Sequence, residues 1–283
     1  MPPEAYQATV PAFVVAALAL ALAPRGGAPP GSAASKRRAL SPAIATVAGY
    51  AAGHAGLDGW PRLPPSQAEG WLPWLALAFL AAAGLEAGIL RLQPPRWFLR
   101  SLLGLATSFV TLQALVPGWA SWEAASWVVG LGLSVTLVWS LSEAAARARD
   151  DPGVPLAWML AAMGGSATLV AAHSAKLAFL AAALAATLGA AAVVTLFSPR
   201  SMSPAAGATS GVLIGLLMNG RFYADLSWAS AILIALALVG PAAVWLLPGS
   251  MRTSRWTSVA VGLATSGILA AAAVALSPPS FDE

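Results

Sequence analysis

Apolar residues run along this chain in long blocks, separated by short clusters of charge, proline and glycine rather than alternating with polar positions. Read with a window of about 19 residues, the blocks predict ten helical segments at roughly 8–23, 40–57, 71–90, 97–116, 124–142, 154–172, 177–197, 204–219, 226–247 and 256–276. The second and eighth are rich in glycine and alanine and are the weakest of the ten. The longest block, Leu156 to Phe197, has no proline, and Lys176 is its only charge. As one helix it would run about 60 Å, twice the hydrocarbon thickness of a bilayer. The pattern therefore predicts two segments joined by a tight, water-facing turn at His173 to Lys176.

Composition says which solvent the blocks face. Hydrophobic residues make up 58% of the 283 and charged residues 9%, against roughly a quarter charged in a soluble domain. The expected fold class is an all-α polytopic integral membrane protein, one transmembrane domain over 1–283 with no soluble domain. There is no cysteine, which excludes disulfides, thiolate catalysis and cysteine-ligated metal.

The positive charges orient the segments, because cytoplasmic loops collect Lys and Arg. With the N-terminus outside, the inner loops hold Arg25, Lys36, Arg37, Arg38, Arg91, Arg96, Arg100, Arg147, Arg149, Arg200, Arg252 and Arg255, twelve of the fifteen basic residues. Only Arg62, Lys176 and Arg221 fall outside. Dropping one segment would invert every later loop, so the charges favour ten spans with both termini outside, in a bacterial cytoplasmic membrane. The pI near 10.1 then reflects topology, and Lys36-Arg37-Arg38 faces anionic headgroups rather than nucleic acid. Tryptophans cluster near segment ends as interfacial anchors: Trp71, Trp74, Trp119, Trp122, Trp127 and Trp228 outside, Trp97, Trp139, Trp158, Trp245 and Trp256 inside. Ala21-Leu22-Ala23 resembles a signal-cleavage site, but Pro24 follows it and Glu4 precedes the apolar core, so the first segment is expected to be retained.

Arg38-Ala-Leu-Ser41-Pro42-Ala43 matches Arg200-Ser-Met-Ser203-Pro204-Ala205 at an offset of 162, and Gly49 and Gly53 match Gly211 and Gly215 at the same offset. Arg96-Trp97 with Gly104-Leu-Ala-Thr-Ser108 resembles Arg255-Trp256 with Gly262-Leu-Ala-Thr-Ser266. Segments 1–4 (8–116) would then repeat as segments 7–10 (177–276) with 117–176 inserted, a parallel repeat of a kind found in transporters, while a five-plus-five inverted arrangement fits the segment count equally well. Each copy would open its second segment with proline in the first turn, followed by Gly-x-x-x-Gly, which allows close packing of helices in lipid. Segments 2 and 8 are therefore expected inside the bundle.

Candidate chemistry is sparse. Glu86, the one carboxylate inside a predicted segment, is a functional candidate by depth, but Arg91 and the inner surface are near enough for pairing or snorkelling. Ser101, Thr107, Ser108, Thr111 and Gln113 of segment 4, with Thr265 and Ser266 of segment 10, could form a polar path, or satisfy their hydroxyls one turn back. His54, His173 and Lys176 fall near outer segment ends, where the histidines could titrate, and Arg221 and Asp225 are spaced as an i, i+4 pair. No ligand spacing suggests a metal, no phosphate loop or nucleophile motif a cofactor or enzyme. The remaining classes are a small secondary transporter or permease, which ten segments, a repeat and broken helices suit, and a non-catalytic subunit or scaffold, which the scarcity of buried charge suits. Expected partners are lipid and either other membrane subunits or further copies of the chain.

Overall fold

The computed structural model describes residues 2–23, 33–88, 93–246 and 255–277. Among these are ten α-helices: α1 (Pro3–Ala21), α2 (Ala33–Asp58), α3 (Leu72–Gly88), α4 (Gln93–Leu112), α5 (Ser121–Arg147), α6 (Gly153–Ala171), α7 (Ala175–Phe197), α8 (Ala206–Tyr223), α9 (Trp228–Val239) and α10 (Arg255–Ala275). No strand occurs among the described residues. Seven stretches are long and apolar enough to cross a membrane: Pro3–Ala21, Ala68–Gly88, Ser121–Arg147, Gly153–Ala171, Ala175–Phe197, Trp228–Leu246 and Trp256–Ala275. The chain is thus an all-helical, multi-pass membrane protein. The other three helices are diluted by polarity: α2 and α4 open with basic turns, and α8 is rich in glycine, serine and threonine. Arg25, Arg91 and Arg252 lie outside the described residues.

Side-chain ties sort the helix ends into two sets. Arg200 Nη1 donates to Ser41 Oγ at 3.1 Å, Ser201 Oγ to the Ala146 carbonyl and Arg149 Nη1 to the Ser258 carbonyl. These define a basic end. At the far end, Lys176 meets Asp58 and Glu69, Tyr223 donates to the Thr111 carbonyl and Ser230 meets Ser277. A Cβ on Gly56 would touch the Gln7 carbonyl, so the start of α1 and the end of α10 share the far end.

The outer helices are small inward and large outward, the reverse of a soluble bundle. α1 buries Ala5, Ala8, Ala12 and Ala16 and exposes Tyr6, Val10, Phe13, Val14 and Leu18. Lipid offers no hydrophobic drive between helices, so attraction comes from close backbone approach. Gly49, Gly53 and Gly56 of α2 provide it: a Cβ at these positions would fall 2.8, 2.6 and 2.1 Å from the carbonyl oxygens of Ala12, Ala8 and Gln7. The Gln7 carbonyl has no i+4 donor because residue 11 is proline. α7 packs against two of these glycines, through Thr187 at Gly49 and Ala183 at Gly53.

Two prolines are accommodated by side chains. α2 starts at Ala33, so Pro42 sits inside the helix rather than in its first turn. The carbonyl it frees, that of Arg38, accepts from Ser41 Oγ at 2.8 Å. Pro204 does lie in a short 3-10 turn, Ser203–Ala205, ahead of α8. In α9, Pro241 ends the α-helix, which continues as a 3-10 turn over Gly240–Leu246. The Ala237 carbonyl then accepts from Ser266 Oγ at 2.8 Å and the Leu238 carbonyl from Trp158 Nε1 at 3.0 Å. Carbonyls freed in a membrane interior need such donors. This corrects the reading of Trp158 as an interfacial anchor, since it is fully buried, and Trp139 is also buried.

The chain turns at Ala172 to Ser174, where His173 has φ 58 and is exposed. α8 is the axis of the bundle. Every residue from Ala205 to Gly220 is buried, and α2, α3, α4, α5, α6, α7 and α9 all pack on it.

Candidate functional site

At the basic end, three buried charged side chains meet around Arg100. Arg100 donates from Nε to Glu86 Oε1 at 2.7 Å and from Nη2 to Glu86 Oε2 at 2.5 Å. It also bridges to Glu143 of α5, reaches Ser140 Oγ at 3.1 Å and lies 4.8 Å over the Trp139 ring. Glu143 in turn pairs with Arg147, one turn on. The planar guanidinium fork lets one residue satisfy two carboxylates at once, so Arg100 joins α3, α4 and α5. A cavity of about 220 Å³ opens beside the cluster, lined by Glu86, Arg96, Glu143, Arg147 and, from the approach to α8, Ser203 and Pro204.

Above this cavity the core closes on α8. Phe79 of α3 and Trp139 of α5 meet edge-to-face at 5.2 Å, and each sits in a gap left by a glycine of α8. A Cβ on Gly207 would come 2.8 Å from Trp139 Cε2, and one on Gly211 would come 2.1 Å from Phe79 Cε2. Gly215 makes room in the same way for Leu72. Between these glycines, Thr209 and Ser210 are fully buried and their hydroxyls have no hydrogen-bond partner.

A second basin, of about 330 Å³, lies at the far end, lined by Gln67, Glu69, Lys176 and, from α8, Asn219 and Tyr223. Lys176 Nζ is its hub, 2.8 Å from Asp58 Oδ2, 2.9 Å from Glu69 Oε1 and 2.8 Å from Gln67 Oε1. From Asp58 a polar stripe runs down α2 at a spacing of four through His54, Tyr50 and Thr46. All three are buried, and neither His54 nitrogen, nor the Tyr50 hydroxyl, nor Thr46 Oγ1 has a partner. The His54 and Tyr50 rings meet edge-on at 6.4 Å. Buried polar groups without partners each cost about 1–3 kcal/mol, so a stripe of them marks a place where stability has been given up.

The chain matches no family model, and no curated protein or solved structure matches it.

Of the residues singled out by sequence, Glu86 joins the Arg100 cluster. Thr107, Ser108 and Thr265 donate to the carbonyls of Leu103, Gly104 and Val261, each one turn back. Thr111 Oγ1 is buried without a partner, while Ser101 and Gln113 are half-buried. α4 packs on α3, α5 and α8, whereas α10 packs on α6 and α9. The two polar faces thus sit in different neighbourhoods, with Ser266 serving the α9 break. Gly49 and Gly53 meet α1 and α7, and Gly211 and Gly215 meet α3. Arg221 turns away from Asp225, donating to the Leu226 carbonyl at 3.3 Å. Arg100, expected in an inner loop, lies in α4, and its partner Glu143 falls one residue beyond a predicted segment.

Proposed function

We propose that this chain is a small secondary transporter of a bacterial cytoplasmic membrane, with ten membrane crossings, its basic end in the cytoplasm and both chain ends on the other side. One observation carries the reading: one helix, α8, buried from Ala206 to Gly220, meets a charged basin at each end, with Ser203 and Pro204 lining one and Asn219 and Tyr223 the other. Alternating access needs two vestibules that face opposite sides and converge on a common element. The aromatic block of Phe79 and Trp139 separates them, each ring seated against a glycine of α8. Each basin holds carboxylates and cations together, which suits a small zwitterionic solute. The stripe of Asp58, His54, Tyr50 and Thr46 offers a buried titratable group for ion coupling. The Arg200–Ser41 contact joins the two matching Ser-Pro segments, and the parallel repeat rests on the sequence match alone. The packing of the copies differs, since α1 lies along α2 whereas α7 lies along α1 and α6.

Purification in mild detergent, followed by melting against a panel of small zwitterionic solutes, tests this. A transporter is expected as a partner-free species in which at least one solute raises stability, by about 2.7 kcal/mol at one hundred times its Kd. A fixed stoichiometric partner protein and no response to any solute would instead support a non-catalytic subunit.

A further inference from the structure

On the lipid-facing side, a cleft of about 320 Å³ between α5 and α9 opens down to the central helix. Its walls are nearly all aliphatic: Leu131 and Leu137 from α5, Leu217 and Met218 from α8, and the small Ala231 and Ala235 of α9, which give it depth. Ser134 also lines it, but its hydroxyl is satisfied by the Gly130 carbonyl at 2.9 Å. The strong polar feature is Arg221, at the mouth near the far end. Its guanidinium lies 5.2 Å over the Trp228 ring, Trp127 stacks on Trp228 at 5.3 Å, and Phe222 meets both rings edge-on. Such aromatic clusters mark the headgroup level. None of the ion pairs among the described residues involves Arg221, so its charge is held in place by a carbonyl and a ring and is left without a counter-anion.

Lining and charge select the occupant. From Arg221 to Ile214, which also lines the cleft, α8 rises about 10 Å, some two-thirds of one hydrocarbon leaflet of about 15 Å. Aliphatic walls over that length suit an acyl chain, and a cation without a counter-anion at the level of the stacked tryptophans suits a phosphate. We propose that the cleft holds one anionic phospholipid of the far-end leaflet, with its phosphate on Arg221 and one acyl chain lying against α8 between α5 and α9. This site does not depend on the transport reading.

The test is native mass spectrometry of the full chain, purified in mild detergent and equilibrated with equal amounts of phosphatidylglycerol and phosphatidylcholine. Wild type is expected to retain one phosphatidylglycerol per chain, with phosphatidylcholine roughly tenfold less abundant. Arg221→Gln, which removes a charge-assisted contact, and Ala235→Phe, which fills the cleft while keeping the charge, are each expected to lower that retention by about tenfold. Equal retention of the two lipids by wild type, or undiminished phosphatidylglycerol in either folded variant, would overturn the proposal. If Arg221→Gln fails to fold, Ala235→Phe decides alone, because it leaves the Leu226 carbonyl contact intact.

Discussion

Arg100→Leu is expected to cost this protein about 3–5 kcal/mol of stability, among the largest single losses available to it. The Arg100, Glu86 and Glu143 side chains are each under 10% exposed, at 8%, 8% and 9%. Removing the guanidinium leaves Glu86 with no other ion pair among the described residues, and leaves Glu143 only the half-exposed Arg147. An uncompensated carboxylate at that burial costs more than its pairing ever contributed, because the pair was assembled against a large desolvation penalty. The converse variant separates the two effects. Arg100→Leu combined with Glu86→Leu replaces the bidentate pair by apolar side chains and is expected to recover most of the loss, a coupling of 0.5–3 kcal/mol or more by double-mutant arithmetic. Unfolding midpoints in bicelles check this, and additive losses would show that Arg100 acts through something other than its carboxylates.

Gly53→Leu is expected to detach α1 from the bundle. The first atom added would already lie 2.6 Å from the Ala8 carbonyl oxygen and 2.6 Å from Ala183 Cβ, so neither α1 nor α7 can remain where it is. Overpacking in a formed core costs about 1–3 kcal/mol and more where backbone is displaced, so the upper end is expected here. Gly84→Ala in α3 is the control, since a Cβ there meets nothing within 4 Å. It should be neutral or stabilise by up to about 1 kcal/mol through helix propensity. Limited proteolysis after α1 reads the difference, and equal protection of the two variants would contradict the close packing of α1, α2 and α7.

Much of the architecture is legible in the apolar pattern. Each predicted segment overlaps one helix, and the turn at Ala172 to Ser174 follows from the length of the block that contains it. What the pattern hides is pairing across the fold. Arg100 reads as a loop cation because its second carboxylate, Glu143, is 43 residues away, and only the antiparallel packing of α4 on α5 brings them together. Trp158 reads as an anchor because a tryptophan near a segment end is usually one. Its actual partner is the Leu238 carbonyl, 80 residues on, freed where α9 breaks at Pro241. The polar stripe on α2 is legible only at its end, as His54, because its burial depends on α2 packing between α1, α3 and α7.

On the transport reading, α8 is a shared axis reached by water from both ends. The chain has no cysteine, so single cysteines can be placed without a background. In proteoliposomes, Asn219→Cys should react with a bulky, membrane-impermeant maleimide from the far-end side only, and Ser203→Cys from the basic side only. Ser210→Cys, buried at mid-depth between them, should react with a small hydrophilic thiosulfonate added from either side, each rate falling when a binding solute is present. A Ser210→Cys thiol that stays unreactive from both sides until the protein is unfolded would contradict the account, since α8 would then be the solid core of a scaffold.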